Sequence, residues 1–186
     1  MKVVVGITGA SGIIYGVRLL EVLRNKKIET YLILSKNAEA IAQHEMNMTR
    51  NKIEALADHA YSPDALTAPI ASGSCPIDAV VVVPCSMKTL ASIANGYANN
   101  LLCRVADCAL KEERKLILVT RETPLNVIHL KNLVKAAEGG AIILPAMPAF
   151  YHNPKSVNDL VNFVVGKVLD RLRIKHNLYK RWEDLG

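Results

Sequence analysis

Short apolar runs and amphipathic segments alternate along most of the chain. The apolar runs are nearly continuous and rich in β-branched residues, which predicts buried strands at 2–8, 28–34, 79–84, 115–120 and 141–144. Apolar residues at helical spacing predict helices at 13–24, 38–48, 86–95, 101–111, 127–138 and 157–173, with a short helical turn at 51–56. Apolar strands between amphipathic helices are typical of a parallel sheet covered on both faces. We therefore predict an α/β fold, a doubly wound, mainly parallel sheet in a Rossmann- or flavodoxin-like three-layer sandwich.

Length and composition favour one folded domain. The chain has 186 residues, of which 51% are hydrophobic and 22% charged, and this excludes disordered, collagen-like and cysteine-stapled classes. We expect a single domain over residues 1–174 and a basic C-terminal tail over 175–186, at a subunit interface. Because the chain is at the apolar end for a globular protein, a homo-oligomer is expected.

Charge and cysteine usage narrow the possible partners and the compartment. The net charge of +6 suits an anionic ligand, while no aromatic-rich RNA-binding pattern or helix-turn-helix signal supports nucleic acid. No apolar run approaches the ~20 residues that span a bilayer, so no membrane partner is expected. We see no signal peptide and no Cys-x-x-Cys pair, so Cys75, Cys85, Cys103 and Cys108 are interpreted as reduced thiols of a cytoplasmic protein.

Five loops follow the carboxyl ends of the predicted strands, where ligands of such sheets bind. They cover residues 9–12, 35–37, 84–89, 120–124 and 145–154. The first is Gly9-Ala10-Ser11-Gly12, whose amides suit a phosphate at a helix N-terminus, although the glycines equally suit a tight turn. The second strand ends in Ser35-Lys36 rather than in an acidic residue for a ribose hydroxyl, which weakens a dinucleotide-binding interpretation.

Hydroxyl and charged side chains in the later loops are candidate ligand contacts. Ser86 and Thr89 suit a phosphate or a ring carbonyl, but ordinary helix capping also explains Ser86. Arg121 is a candidate for a flavin or phosphate contact and Glu122 for proton transfer, while a structural ion pair is the alternative. Cys85 has no histidine at a recognisable spacing and is poorly supported as a nucleophile.

Six segments in chain order resemble one known family. They are Gly-Ala-Ser-Gly at 9–12, Ala-Ser-Gly-Ser at 71–74, Pro-Cys-Ser-Met-Lys-Thr at 84–89, Gly-Tyr-Ala-Asn-Asn-Leu-Leu-Cys-Arg-Val-Ala-Asp at 96–107, Thr-Arg-Glu-Thr-Pro-Leu at 120–125 and Pro-Ala-Phe-Tyr-His-Asn-Pro at 148–154. Over residues 2–182 the chain is thus similar to the flavin prenyltransferases, the UbiX/Pad-type proteins once described as aromatic-acid decarboxylase subunits.

The resemblance implies an FMN-dependent enzyme with a Rossmann-like fold that assembles as a dodecamer. Members of the family join the dimethylallyl group of dimethylallyl phosphate to N5 and C6 of reduced FMN, without a metal. The prenylated FMN then serves a UbiD-type aromatic-acid decarboxylase. We see no Asp-rich cluster for Mg²⁺ in the sequence, so cationic side chains are expected to stabilise the leaving phosphate.

The family's site residues carry over onto matching positions of this chain. By resemblance, FMN would be held by Gly9, Ala10, Ser11, Ser35, Ser86, Met87, Lys88, Thr89 and Arg121. The donor phosphate would be surrounded by Ser11, Arg104, Lys111, Glu122, Tyr151 and Lys167, with Glu122, Ser11, Lys111 and Arg104 as the catalytic residues. Many members have arginine at the position of Lys167, and a lysine lacks the planar fork that binds a phosphate at two points. Tyr151 and Trp182 are the rings expected to shelter the allylic cation.

Two other functions stay open. A non-catalytic FMN-binding subunit of a decarboxylase would share the flavin site but would not need a second phosphate pocket. A flavin-dependent cysteine decarboxylase is less favoured, because the Pro-Ala-Ser-Ala-Asn-Thr loop characteristic of those enzymes is replaced here by Pro-Cys-Ser-Met-Lys-Thr at 84–89.

Overall fold

The computed structural model describes residues 1–185, with side chains up to residue 183. The strands are β1 (Lys2–Ile7), β2 (Glu29–Leu34), β3 (His59–Tyr61), β4 (Ala79–Cys85), β5 (Lys115–Thr120) and β6 (Ile142–Ile143). The helices are α1 (Ile13–Asn25), α2 (Lys36–Met46), α3 (Arg50–Glu54), α4 (Met87–Ala94), α5 (Leu101–Lys111), α6 (Val127–Glu138) and α7 (Val157–Leu172), and two short 3-10 turns cover Pro69–Ala71 and Trp182–Leu185.

The six strands form one sheet in the order β3-β2-β1-β4-β5-β6, and all the pairs are parallel. The chain runs outward from β1 to β3, then returns to the other side of β1 and runs outward again from β4 to β6. This is the strand order of a doubly wound dinucleotide-binding sheet, with its reversal point between β1 and β4. The predicted fold class is confirmed.

Alternate residues of the central strands pack into two separate apolar layers. Val3, Val5 and Ile7 of β1 lie in the layer that includes α1, α2 and α7. Val4 lies in the opposite layer, with α4, α5 and α6. Because side chains alternate across a strand, nearly continuous apolar runs supply both layers at once, and the result is a three-layer sandwich.

The sequence prediction differs from the structure mainly at the sheet edge. Strand β3 was not predicted, because it has three residues and His59 and Ala60 are exposed, so no apolar run marks it. It pairs with β2, where the rings of Tyr31 and His59 stack with centroids 4.6 Å apart. Helix α2 also begins two residues earlier than predicted, because the Ser35 hydroxyl accepts a hydrogen bond from the Ala38 N–H and so caps it.

Residues after α7 fold back onto that helix instead of extending away. A Cβ at Gly166 would lie 2.5 Å from the Tyr179 ring, so only glycine lets the tail approach this closely. The Asp170 carboxylate accepts hydrogen bonds from the Tyr179 hydroxyl at 2.6 Å and from Arg181 Nη2 at 2.7 Å. The predicted tail from residue 175 is therefore attached to α7 as far as it is described.

Among residues 1–185, no helix has the length and apolar character that a membrane span requires.

Candidate active site

A cavity of about 500 Å³ opens at the carboxyl edge of the sheet, beside the reversal point between β1 and β4. Open α/β sheets bind their ligands at this place, and the volume is within the usual ~300–1,000 Å³ of small-molecule sites. The cavity brings together most of the residues proposed for FMN and one proposed catalytic residue, namely Gly9, Ser35, Ser86, Met87, Lys88, Thr89 and Glu122.

Three helices point their N-termini at this cavity. Their capping residues Ser35, Ser86 and Asn100 all line it, at the starts of α2, α4 and α5. Each cap accepts a backbone N–H of its own first turn, at 3.2, 3.3 and 3.0 Å. Amides and positive dipole ends at three helix starts attract an anion. The exposed ammonium group of Lys88 adds positive charge, while that of Lys36 pairs with Asp64 of the same cavity at 3.2 Å.

Arg121 supplies a donor that the protein itself does not use. Its Nε is buried and has no hydrogen-bond partner among the described residues. Burial raises the pKa of the Tyr15 hydroxyl, and the charge of the nearby Arg121 acts in the opposite direction. A buried donor without a partner costs about 1–3 kcal/mol, so a ligand acceptor at this position would be stabilised. The hydroxyls and helix amides of the cavity fit a phosphate ester with a polar ring, as FMN has. Arg121 does not line the cavity itself but follows β5 at the same edge of the sheet.

The amides at the start of α1 are not available to a phosphate in this conformation. The Glu45 carboxylate accepts hydrogen bonds from the Gly12 N–H at 3.0 Å and from the Ile13 N–H at 3.0 Å. The chain thus provides its own anion at this helix N-terminus. For the first loop, the tight-turn interpretation accounts for Gly12, which has a φ of 98°. Ala10 is buried and Ser11 is exposed, and neither lines the cavity.

Two of the proposed phosphate-binding cations lie on α5, the helix whose cap Asn100 and first-turn residue Cys103 line the cavity. Arg104 donates to the Ala71 carbonyl at 3.1 Å and pairs with Asp107 at 2.7 Å. Lys111 pairs with its neighbour Glu112. Neither Arg104 nor Lys111 lines the cavity that contains Glu122.

Lys167 lies on α7, and both Lys167 and Tyr151 pack against aromatic rings of α7 and the tail. The Lys167 ammonium lies 5.2 Å from the Tyr179 ring centre and 5.4 Å from that of Phe163. Tyr151 contacts the Phe163 and Trp182 rings edge to face, with centroids 5.8 and 5.3 Å apart. The proposed residues therefore do not all line one cavity of the protomer, since Ala10, Ser11, Arg104, Lys111, Arg121, Tyr151 and Lys167 are not part of it.

Comparison with known proteins identifies the family. A model of the flavoprotein family matches residues 1–169. The flavin prenyltransferase UbiX of Methanocaldococcus jannaschii is 56% identical over 182 residues, which cover 98% of each chain. This chain belongs to the flavin prenyltransferase family.

Solved flavin prenyltransferase structures have the same fold. AnUbiX in complex with FMN and dimethylallyl pyrophosphate superposes with a TM-score of 0.96 at 43% identity, covering 97% of this chain and 96% of that one. A dodecameric FMN-dependent UbiX-like decarboxylase from Escherichia coli O157:H7 superposes with a TM-score of 0.95 at 46% identity, covering 98% and 99%. The family resemblance drawn from the six segments is confirmed.

Several residues that line the cavity lie outside the five loops that the sequence analysis singled out. They are Thr8, Pro63, Asp64, Ser92, Asn99, Asn100 and Cys103. Asn100 had a usable signal, since an asparagine before an apolar helical segment is a typical cap. Burial raises the pKa of the Cys103 thiol, while Asn100, Ser92 and Lys88 act in the opposite direction.

Among the described residues, no group of three His, Cys, Asp or Glu side chains is arranged to hold a metal ion.

Proposed function

We propose that this chain is a flavin prenyltransferase that joins the dimethylallyl group of dimethylallyl phosphate to reduced FMN. The observation that carries the proposal is the cavity at the β1–β4 reversal, where the N-termini of three helices and the Glu122 side chain meet. The family relationship over nearly the whole chain supplies the reaction class. FMN, when bound, supplies the nucleophilic ring positions N5 and C6.

The residues around the cavity divide the recognition of FMN between phosphate and ring. The helix starts capped by Ser35 and Ser86 suit its phosphate, because both offer backbone N–H groups and both have a lysine in the first turn, Lys36 and Lys88. Arg121 suits a ring carbonyl, since its buried Nε otherwise has no acceptor. Gly9, Ala10, Ser11, Met87, Lys88 and Thr89 stay proposed contacts on the family resemblance.

The donor half of the reaction needs stabilisation of a phosphate that leaves with the electron pair of the broken C–O bond. Arg104, Lys111 and Lys167 are proposed to supply it together with Tyr151 and Ser11, each charge-assisted contact contributing about 1.5–3 kcal/mol. Glu122 is half-buried and lines the cavity, so we propose it for moving the protons that the transfer releases.

We further propose that neighbouring protomers complete each site. On this protomer Arg104 and Lys111 make other contacts and do not line the Glu122 cavity, and Lys167 packs on the Tyr179 ring of the tail, which supports completion of the set across subunits. The dodecameric relative supports an oligomer with enough interfaces for such sharing. A dodecamer, a UbiD-type aromatic-acid decarboxylase as user of the product, and a cytoplasmic location are parts of the same proposal.

The test is anaerobic incubation of the purified protein with reduced FMN and dimethylallyl phosphate, followed by mass spectrometry of the released flavin. We expect a flavin heavier by one dimethylallyl group. A parallel reaction with dimethylallyl pyrophosphate separates the two donors. Only unmodified FMN in both reactions would reject the transferase and favour a non-catalytic FMN-binding subunit. Carbon dioxide released from a peptide with a C-terminal cysteine would favour a cysteine decarboxylase.

Glu122→Gln serves as the matched variant. It keeps the size and hydrogen-bonding reach of the side chain but not its proton affinity, so FMN should bind with unchanged affinity while turnover is lost. Full turnover in this variant would remove Glu122 from its assigned role.

A further inference from the structure

The buried hydroxyl of Thr8 forms hydrogen bonds between the ends of β1 and β4, at the edge of the cavity. Thr8 follows β1 directly and is 2% exposed. Its Oγ1 donates to the Pro84 carbonyl at 2.7 Å and accepts from the Ser86 N–H at 2.8 Å. Its own N–H also donates to the Pro84 carbonyl, at 3.2 Å. One residue thus makes three hydrogen bonds with the end of β4 and the residue after it, which are 76 and 78 positions away in the chain.

These contacts lie where the strand ladder stops. Paired residues of β1 and β4 end at Gly6 and Val82. The register between β4 and β5 shifts after Val82, so the end of β4 is less regular on that side too. Beyond the paired residues, the Thr8 side chain adds two hydrogen bonds between the strand ends to the one that its backbone N–H makes.

The element held in this way is the start of α4. The Ser86 hydroxyl accepts from the Thr89 N–H at 3.3 Å and donates to Thr89 Oγ1 at 3.1 Å, which leaves the Ser86 N–H to Thr8. Ser86, Met87, Lys88 and Thr89 all line the cavity. The direction of their N–H groups depends on the orientation of Ser86, because the first turn of α4 starts from it.

We propose that Thr8 is a positioning residue for FMN, which acts through Ser86 by aiming the N-terminus of α4 into the cavity. This inference rests on the proposed function and adds to it a residue whose hydroxyl is fully engaged with the protein. An anion at a helix N-terminus is stabilised only over the first turn, so a small reorientation of α4 weakens its binding.

Thr8→Val tests the proposal, because it keeps the branched shape and removes the hydroxyl. Titration of each protein with FMN, followed by flavin fluorescence and visible absorption, measures affinity and ring environment. Unfolding in urea without FMN measures stability. We expect T8V to bind FMN about tenfold more weakly, since the Ser86 N–H loses its acceptor. Thr8→Ser should restore the affinity and the spectrum of wild type.

Thr30→Val is the matched control. The Thr30 hydroxyl is also buried and makes the same pair of contacts, donating to Asp58 Oδ2 at 2.9 Å and accepting from the Asp58 N–H at 3.1 Å. Thr30 lies on β2 and does not line the cavity. T30V should therefore lose stability and keep the FMN affinity of wild type.

Two results would overturn the positioning role. One is wild-type FMN affinity in T8V, with a loss of stability like that of T30V. The other is T8S binding as weakly as T8V. If T8V does not fold, Thr8→Ala is measured under the same expectations. Absence of FMN binding by the wild-type protein would instead reject the proposed function, so the two failures are distinguishable.

Discussion

At the scale of single residues, burial decides which chemical groups are available. Four cysteines are present, and none of them forms a disulfide. Cys85, Cys103 and Cys108 are almost inaccessible, and Cys75 is half-buried. Burial raises the pKa of Cys85 far above that of an ordinary thiol, and a thiolate is what attacks an electrophile. Although Cys85 precedes the cavity residue Ser86, its buried thiol is therefore not a nucleophile.

Thiol labelling of the native protein checks this conclusion. We expect a water-soluble aromatic disulfide reagent to modify at most one thiol rapidly, Cys75, and to modify all four after denaturation. Cys75→Ser should abolish the rapid phase. Rapid labelling of Cys85 in the folded protein would contradict the role that we give to burial.

At the scale of secondary-structure elements, α7 owes its position to contacts at both ends. Ser156 and Asp159 form a reciprocal capping box at its N-terminus. Near its other end, Asp170 accepts hydrogen bonds from Tyr179 and Arg181 and contacts His176 at 3.2 Å. Burial disfavours the Asp170 carboxylate, but these partners outweigh it and hold its pKa below the ordinary value. Helix α7 is thus connected to the tail through hydrogen bonds to one ionised carboxylate, that of Asp170.

We predict that Asp170→Asn lowers the stability of the protein by an amount that depends on pH. A lowered folded-state pKa means that the stabilisation is fully present above the unfolded pKa of about 3.9 and is lost as pH falls through the folded value. At neutral pH we expect D170N to be less stable by about 1.5–3 kcal/mol. The difference from wild type should close below about pH 4. Thermal unfolding followed by circular dichroism over a pH series measures both.

The control for this series is Glu138→Gln, which changes an exposed carboxylate at the end of α6. It should leave the stability at neutral pH close to that of wild type. A D170N deficit that persists unchanged in strong acid would show that shape, not charge, accounts for the loss.

At the scale of the whole molecule, apolar surface and site residues both point to association. Val127, Ile128, Leu130 and Val134 of α6 are each about half exposed or more, and Phe150 and Trp182 are 70% and 73% exposed. Exposed apolar groups of this kind are typical of surfaces between subunits. They support an oligomer, and the proposed sharing of sites requires one, since Glu122 lines the cavity and Arg104 and Lys111 do not.

Mixed oligomers test the sharing of sites directly. Lys111→Met and Glu122→Gln should each abolish prenyl transfer when expressed alone. Co-expressed with different affinity tags and purified through both, they should regain part of the activity, because some sites combine an intact Glu122 with an intact Lys111 of a neighbour. Recovery of no activity in double-tagged oligomers would place both residues in the site of one chain.

The sequence predicted the parts of the fold and site that depend on neighbours in the chain. Residues 101–111, 115–120 and 127–138 have the predicted bounds, because the apolar period and the caps that define them are local. The loops that line the cavity through Ser35, Ser86 and Glu122 could be located because the end of an apolar strand is also a local signal. The edge strand β3 was missed, since its pairing with β2 and not its own composition makes it a strand.

The amino-acid pattern by itself determined that the chain is a doubly wound α/β protein, and six sequence segments indicated the flavin prenyltransferase family. Only the tertiary structure decided which groups meet each other. The Glu45 carboxylate accepts a hydrogen bond from the Gly12 N–H at the start of α1, the Thr8 hydroxyl accepts one from the Ser86 N–H, and Asp170 accepts one from Tyr179 of the tail. The first two of these contacts join residues 33 and 78 positions apart. Local periodicity carries no information on such pairs, because they form only when packing of the layers brings distant segments together.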